Sequence, residues 1–90
     1  MPQSTESQSA PRLPVTTGDL RHLIAAADTL IEVDGLKDST RFADAGADSL
    51  DIFTLLLAVE EAYHLQIPNE DLTQVGTLEG LSRYLNRKLS

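Results

Sequence analysis

The sequence predicts an all-α fold, a small four-helix bundle of three main helices and one short helix, with a long loop between helices one and two. Three segments of the 90-residue chain carry apolar side chains at helical spacing. No segment alternates apolar and polar residues as a half-buried strand would. A chain of this length forms one domain with a thin core, because it buries only about 60% of its unfolded surface.

The first predicted helix begins after Thr16 or Thr17, since either hydroxyl can cap a helix N-terminus. Asp19 follows in the first turn, where the helix dipole favours a carboxylate. Ahead of this helix, residues 1–14 are rich in Ser, Gln and Pro and are predicted to form a flexible tail, which leaves 15–90 as the folded domain. The apolar stripe of the helix is Leu20, Leu23, Ile24, Ala27, Leu30 and Ile31.

A long loop is predicted from Val33 to Ala47, because this stretch shows little periodicity and contains two glycine turns. Leu36 and Phe42 are expected to pin it to the core. Loops of this length are uncommon in compact domains and are often functional.

The second helix is predicted to start at Asp48 or Ser49 and to end near Tyr63 or His64, ahead of Pro68. Much of it is apolar on all sides, which is typical of a helix that contacts something besides its own core. Phe53 is expected at the margin of the buried stripe. That stripe is Ile52, Leu55, Leu56, Val59 and Tyr63.

A second face of the same helix is predicted to bind a partner. Apolar side chains inside an acidic rim are typical of such a surface. The alternative is that helix one or helix three covers Leu50 and Leu57. The residues of this partner face are Leu50, Asp51, Thr54, Leu57, Glu60 and Glu61.

A short helical turn is predicted to begin at Asn69, with Glu70 and Asp71 at its positive end. The last helix follows Thr77 as its N-cap and ends in basic residues that suit its negative end. Its buried residues are predicted to be Leu78, Leu81, Tyr84, Leu85 and Leu89.

Charge and composition exclude several classes of function. The net charge is -7, and the stretch from Phe42 to Glu79 contains no Lys or Arg, so it would repel nucleic acid and anionic lipid. We expect it to steer the protein towards basic protein surfaces, although acidity also serves solubility alone. Without cysteine there are no disulfides and no thiolate chemistry. No signal peptide or membrane span is apparent, so a cytoplasmic location is expected.

The residues around Ser49 do not form a recognisable catalytic or metal site. Ala47 and Asp51 stand where a nucleophile elbow requires glycine, and neither His22 nor His64 belongs to a catalytic motif. We therefore predict no catalytic residue and no metal ligand. With Asp48 as N-cap, the hydroxyl of Ser49 points outward at the positive end of the helix, where a phosphate would be stabilised.

The motif Gly46 to Asp51 (GADSLD), followed by Glu60-Glu61, by Ile67-Pro68 and by Val75-Gly76-Thr77, resembles the acyl carrier protein family. The resemblance runs from about Thr17 to Leu89. It implies a carrier, not an enzyme.

By this resemblance, Ser49 matches the serine that receives 4'-phosphopantetheine from coenzyme A, and the terminal thiol of that arm holds acyl groups as thioesters. Asp48 matches the aspartate that helps the transferase hold magnesium, and Leu50 follows the serine as in the family. The implied partners are a phosphopantetheinyl transferase and acyl-loading and acyl-processing enzymes with basic docking surfaces, which would bind the face that contains Asp51, Thr54, Leu57, Glu60 and Glu61. A monomer is expected.

The sequence departs from the family pattern at three positions. Ala45 stands where the family often has leucine, which predicts a less firmly anchored loop; Phe53 replaces the usual valine, and Thr54 a frequent glutamate. These departures favour a specialised fatty acid, polyketide or related secondary pathway. Two alternatives stay open: a peptidyl or aminoacyl carrier domain, and an unmodified helical adaptor that binds proteins through helix two.

Overall fold

A computed structural model describes residues 13–27, 29 and 31–89 of the chain. Within these ranges every regular element is helical, which confirms the all-α class. The α-helices are α1 (Thr17–Ala26), α2 (Ser49–Tyr63) and α3 (Leu78–Leu89), and two 3₁₀ helices span Val33–Gly35 and Asn69–Val75. Residues 1–12 of the predicted tail lie outside the described residues, as does Leu30 of the predicted stripe.

The start of α1 is fixed by reciprocal hydrogen bonds. The Oγ1 atom of Thr16 accepts the N–H of Asp19 at 3.0 Å, and the Asp19 carboxylate accepts the N–H of Thr16 at 3.1 Å. This capping box satisfies two N–H groups that the helix cannot satisfy itself. Of the two predicted caps, Thr16 is therefore the one used.

The predicted continuation of α1 to Ile31 is wrong. The helix ends at Ala26, and Ala27 already has extended backbone angles. A local bond competes with the helical ladder beyond this point, because the Thr29 hydroxyl oxygen accepts the N–H of Ile31 at 3.4 Å. Ile31 is buried all the same, but it reaches the core from the connecting segment.

The long loop before α2 is pinned as predicted, since Leu36 and Phe42 are both buried. The N–H of Phe42 also donates to the carbonyl of Gly76 at 2.9 Å, and the N–H of Glu79 donates to the carbonyl of Asp38 at 3.0 Å. These bonds tie the loop to the start of α3.

Helix α2 packs into the core through the predicted apolar stripe. Leu55, Leu56 and Val59 are buried, and Ile52 and Tyr63 pack against them in partly buried positions. Phe53, expected at the margin of this stripe, is 61% exposed. The helical twist places Phe53 about 100° from Ile52, and both side chains border an open cleft.

Helix α3 carries four fully buried apolar residues on one side, as its spacing predicts, and Leu89 is partly buried. Thr77 caps it, with Oγ1 accepting the N–H of Gly80 at 2.9 Å. The 3₁₀ helix Asn69–Val75, predicted to begin at Asn69, lies against this helix. The contact at Gly80 is so close that a Cβ atom there would lie 2.5 Å from the carbonyl oxygen of Gln74.

We expect Gly80→Ala to destabilise the fold by roughly 1 to 3 kcal/mol, because the new methyl group meets backbone that must shift. Alanine normally stabilises a helix interior relative to glycine by up to about 1 kcal/mol, so the predicted sign is opposite to intrinsic propensity. Urea unfolding followed by circular dichroism measures the difference. The matched control is Gly18→Ala in α1, where the Cβ atom would make an ordinary contact with Thr16 at 3.6 Å. Equal stability of the two variants would contradict the proposed close approach.

Candidate functional site

Ser49 is the first residue of α2, and the preceding residue caps the helix. The Oδ1 atom of Asp48 accepts the N–H of Asp51 at 2.9 Å, and the Asp51 carboxylate accepts the N–H of Asp48 at 3.4 Å. The cap is therefore Asp48, and the hydroxyl of Ser49 is not used for capping. Ser49 is exposed, and within the described part of the chain its hydroxyl has no hydrogen-bond partner.

The turn before Ser49 depends on one glycine. Gly46 has φ of 98°, in a region that residues with side chains rarely adopt. Immediately after it, Ala47 is buried, and its N–H donates to the carbonyl of Phe42 at 3.1 Å. Ala45 is exposed and contributes no buried anchor, but Phe42 and Ala47 hold the loop in its place.

A cleft of about 400 Å³ opens between α2, the 3₁₀ helix Asn69–Val75 and the loop around Phe42. This volume lies in the range of sites that enclose small ligands. Ser49 lies among the lining residues, and most of the others are apolar. The cleft is lined on the α2 side by Ile52, Phe53, Leu56 and Leu57, and on the opposite side by Ile67, Leu72 and Val75.

The predicted partner face of α2 is open in its apolar part. Leu50 is 70% exposed and Leu57 is 41% exposed, so neither α1 nor α3 covers them. Thr54, between them along the helix, is partly buried. The exposed side chain of Phe53 adds an aromatic group that the sequence pattern had assigned to the core margin.

The acidic residues of this face have different surroundings. Glu61 is exposed, whereas the carboxylate of Asp51 takes part in the capping box. Glu60 is partly buried, and its Oε2 atom accepts the N–H of Ile67 at 2.8 Å. This bond ties the segment after α2 back onto the helix. Because this bond is a tertiary contact, helical spacing does not predict it. The one sequence signal for it is the Ile67-Pro68 step, where a turn brings the chain back to the end of α2.

The described residues contain no group of three or more His, Cys, Asp or Glu side chains placed to hold a metal ion. His22 is exposed on α1, and His64 ends α2 in the left-handed conformation with φ of 56°. In the part of the chain that the structure covers, no helix has the length and apolar character needed to cross a membrane.

Comparison with known proteins agrees with this geometry. A family model described as a phosphopantetheine attachment site matches residues 19–85. The acyl carrier protein of Bdellovibrio bacteriovorus is 41% identical over 59 residues, which cover 64% of this chain and 76% of that protein. The acyl carrier protein of Wolinella succinogenes is 37% identical over 51 residues (56% and 67%), and that of Chlorobium phaeovibrioides is 36% identical over 59 residues (64% and 76%).

We expect Asp48→Ala to lower the free energy of unfolding by about 0.5 to 2 kcal/mol, because it removes the N-cap of α2. Ser49→Ala should leave stability nearly unchanged, since its hydroxyl makes no hydrogen bond to any residue that the structure describes. Asp44→Ala is the matched control: its exposed ion pair with Arg41, at 3.0 Å, is of a kind worth about 0 to 1 kcal/mol. Thermal unfolding of the three variants tests the assignment, and a larger loss in Ser49→Ala than in Asp48→Ala would contradict it.

Proposed function

Because the chain belongs to the acyl carrier protein family, whose members are carriers and not enzymes, we propose that Ser49 is the residue to which 4'-phosphopantetheine is attached. The observation that carries this assignment is the position of an exposed hydroxyl at the start of α2 and at the lining of the apolar cleft, with no hydrogen bond to the residues that the structure describes. When attached, the arm supplies the thiol that holds an acyl group as a thioester.

The surroundings of Ser49 fit a phosphodiester. The site lies at the N-terminus of α2, where the helix dipole stabilises an anion by about 0.3 to 1 kcal/mol. Asp48 provides the cap, so modification of Ser49 breaks no bond on which the helix start depends. The chain contains no cysteine of its own, which makes the arm the source of the thiol.

The lining of the cleft favours an acyl cargo over an aminoacyl or peptidyl cargo. Apolar side chains on both sides can cover a hydrocarbon chain, whereas an ammonium or amide group would lose its water there with few partners. The cargo is therefore proposed to be apolar at least in the part that enters the cleft. An aminoacyl or peptidyl carrier remains the alternative that a loading experiment would separate.

Partner enzymes, the phosphopantetheinyl transferase among them, are proposed to dock on α2. Leu50 and Leu57 offer exposed apolar anchors, and Asp51 and Glu61 supply negative charge near them. Because residues 42–79 contain no Lys or Arg, a basic partner surface meets no repulsion from this part of the chain.

The composition of this face supports a specialised fatty acid, polyketide or related pathway rather than a general one. Thr54 takes the place of a frequent glutamate, and Phe53, in the place of a valine, is largely exposed. The face is therefore more apolar and less acidic than the family pattern. An unmodified adaptor that binds proteins through the same face is the second candidate function, and the modification of Ser49 separates the two.

The first experiment incubates the protein with coenzyme A, Mg²⁺ and a broad-specificity phosphopantetheinyl transferase. We expect the intact mass to increase by one arm, because the Ser49 hydroxyl is accessible. Ser49→Ala should show no increase, and the matched control Ser39→Ala, which alters another exposed serine, should be modified like the parent. Failure of the parent to gain mass with several transferases would favour the adaptor.

The second experiment tests the docking face. Glu61→Lys is expected to lower kcat/KM of the transferase several-fold, because it reverses a charge that attracts a basic partner. Leu57→Asp should do the same by removing an apolar anchor. Glu32→Lys, an equal charge change at an exposed residue away from α2, serves as the control. If both α2 variants keep helicity and turn over like this control, α2 is not the docking face.

A further inference from the structure

The wall of the cleft opposite α2 is the 3₁₀ helix Asn69–Val75, and its two sides have different roles. Residues three apart lie on the same side of a 3₁₀ helix. Asn69, Leu72 and Val75 line the cleft, whereas Asp71 and Gln74, also three apart, contact α3. In the described part of the chain, this helix comes close to the backbone of α3 but not to that of α2. The cleft is therefore the space between a wall fixed to α3 and the free side of α2.

The hydrophobic effect favours closure of the cleft. Leu72 is 42% exposed on the 3₁₀ wall, and Phe53 and Leu57 are exposed on α2. Contact between the two walls would remove apolar surface from water, at about 25 cal/mol per Å². A cleft that stays open without cargo needs contacts that hold the 3₁₀ helix on α3.

Two side-chain bonds lie on the α3 side of the 3₁₀ helix. The hydroxyl of Tyr84 donates to the Asp71 carboxylate at 2.6 Å, and the guanidinium of Arg87 donates to the side-chain oxygen of Gln74 at 2.6 Å. Tyr84 is only 1% exposed, and the cationic groups of Arg87 and Lys88 lie 5.8 and 5.5 Å from the centre of its ring. The bond from Tyr84 thus starts from a fixed, buried side chain, while the bond from Arg87 is exposed to solvent.

The Tyr84 hydroxyl keeps its proton at neutral pH. Burial, followed by the hydrogen bond to Asp71, raises the pKa of Tyr84 to about 12. The hydroxyl is therefore protonated and can donate at neutral pH. Its bond to Asp71 would be lost only when the pH rises towards that value.

We propose that the hydrogen bond from Tyr84 to Asp71 positions the 3₁₀ wall and so keeps the cleft open for an apolar acyl chain. This inference rests on the proposed function, in which the cleft receives the cargo. Tyr84 and Asp71 do not line the cleft, so they act on cargo through the position of Leu72 and Val75.

The first test uses the unmodified full chain and does not depend on Ser49. In Tyr84→Phe, methyl-detected NMR should show cross-peaks between the methyl groups of Leu72 and Leu57 that are several-fold stronger than in the parent. The matched control is Tyr63→Phe, which removes a hydroxyl from the partly buried tyrosine of α2, outside the cleft lining. A folded Tyr84→Phe variant with parental cross-peaks would overturn the proposal.

A second pair of variants distinguishes the loss of this hydrogen bond from a general loss of structure. Asp71→Ala removes the acceptor and should close the cleft like Tyr84→Phe, whereas Asp71→Asn keeps an acceptor oxygen and should restore the parental spectrum. The double variant Tyr84→Phe with Asp71→Ala should match either single one, because both remove the same bond. Additive changes, or no rescue by asparagine, would contradict a role for this bond.

The last test loads the modified protein with an octanoyl group labelled with ¹³C at its terminal methyl. Cross-peaks from this methyl to Leu56 are expected in the parent and in Tyr63→Phe, and to fall several-fold in Tyr84→Phe. If no variant accepts the arm, the proposed function fails while the cleft measurement in the unmodified chain still stands. If the arm is accepted and Tyr84→Phe holds the octanoyl group like the parent, the positioning role is wrong.

Discussion

The side chain of Asp48 accepts the N–H of Asp51 and so fixes the residue at which α2 begins. The exposure of the Ser49 hydroxyl follows from this one bond. If Ser49 were itself the cap, its hydroxyl would be turned back onto the helix. With Asp48 in that role, the hydroxyl lies in solvent beside the cleft, and the positive end of the helix is available to an anion. The positive φ of Gly46 and the burial of Ala47 bring the chain to this point in the required direction.

A second constraint is that α2 has more apolar surface than the core of so small a domain can cover. Leu55, Leu56 and Val59 fill the core, and the surplus on the other sides has two uses. Part of it lines the cleft and part stays exposed to solvent, as at Leu50, and Leu57 does both. One helix thus presents the proposed attachment point, one wall of the cleft and the proposed docking face, so in the proposed function partner, arm and cargo lie close together. The opposite wall of the cleft is the 3₁₀ helix Asn69–Val75, which packs on α3.

Local rules predicted most of the fold from sequence. The caps at Asp48 and Thr77, the end of α2 and the start of the 3₁₀ helix all depend on residues that act on their immediate neighbours. The end of α1 was predicted wrongly because the apolar spacing continues to Ile31 although the backbone leaves the helix at Ala27. Apolar spacing predicts which side chains are buried in the core, but it does not show whether a buried residue lies in a helix or in a loop.

The site was predicted only in part, for a related reason. Ser49 and the exposed face of α2 follow from helical spacing and capping, which are local. The cleft does not, because the position of its 3₁₀ wall depends on tertiary contacts with α3, such as the hydrogen bond from Tyr84 to Asp71. The bond from Ile67 to Glu60 and the exposure of Phe53 likewise depend on tertiary packing, which local sequence patterns do not predict.

Ser49 is proposed to carry the arm in the living cell. The most direct test of this proposal is tandem mass spectrometry of peptides from the protein purified from its own source. We expect a phosphopantetheine group on the peptide containing GADSLD, located at Ser49 by fragmentation. An arm located at any other residue, or this peptide recovered only in unmodified form, would contradict it.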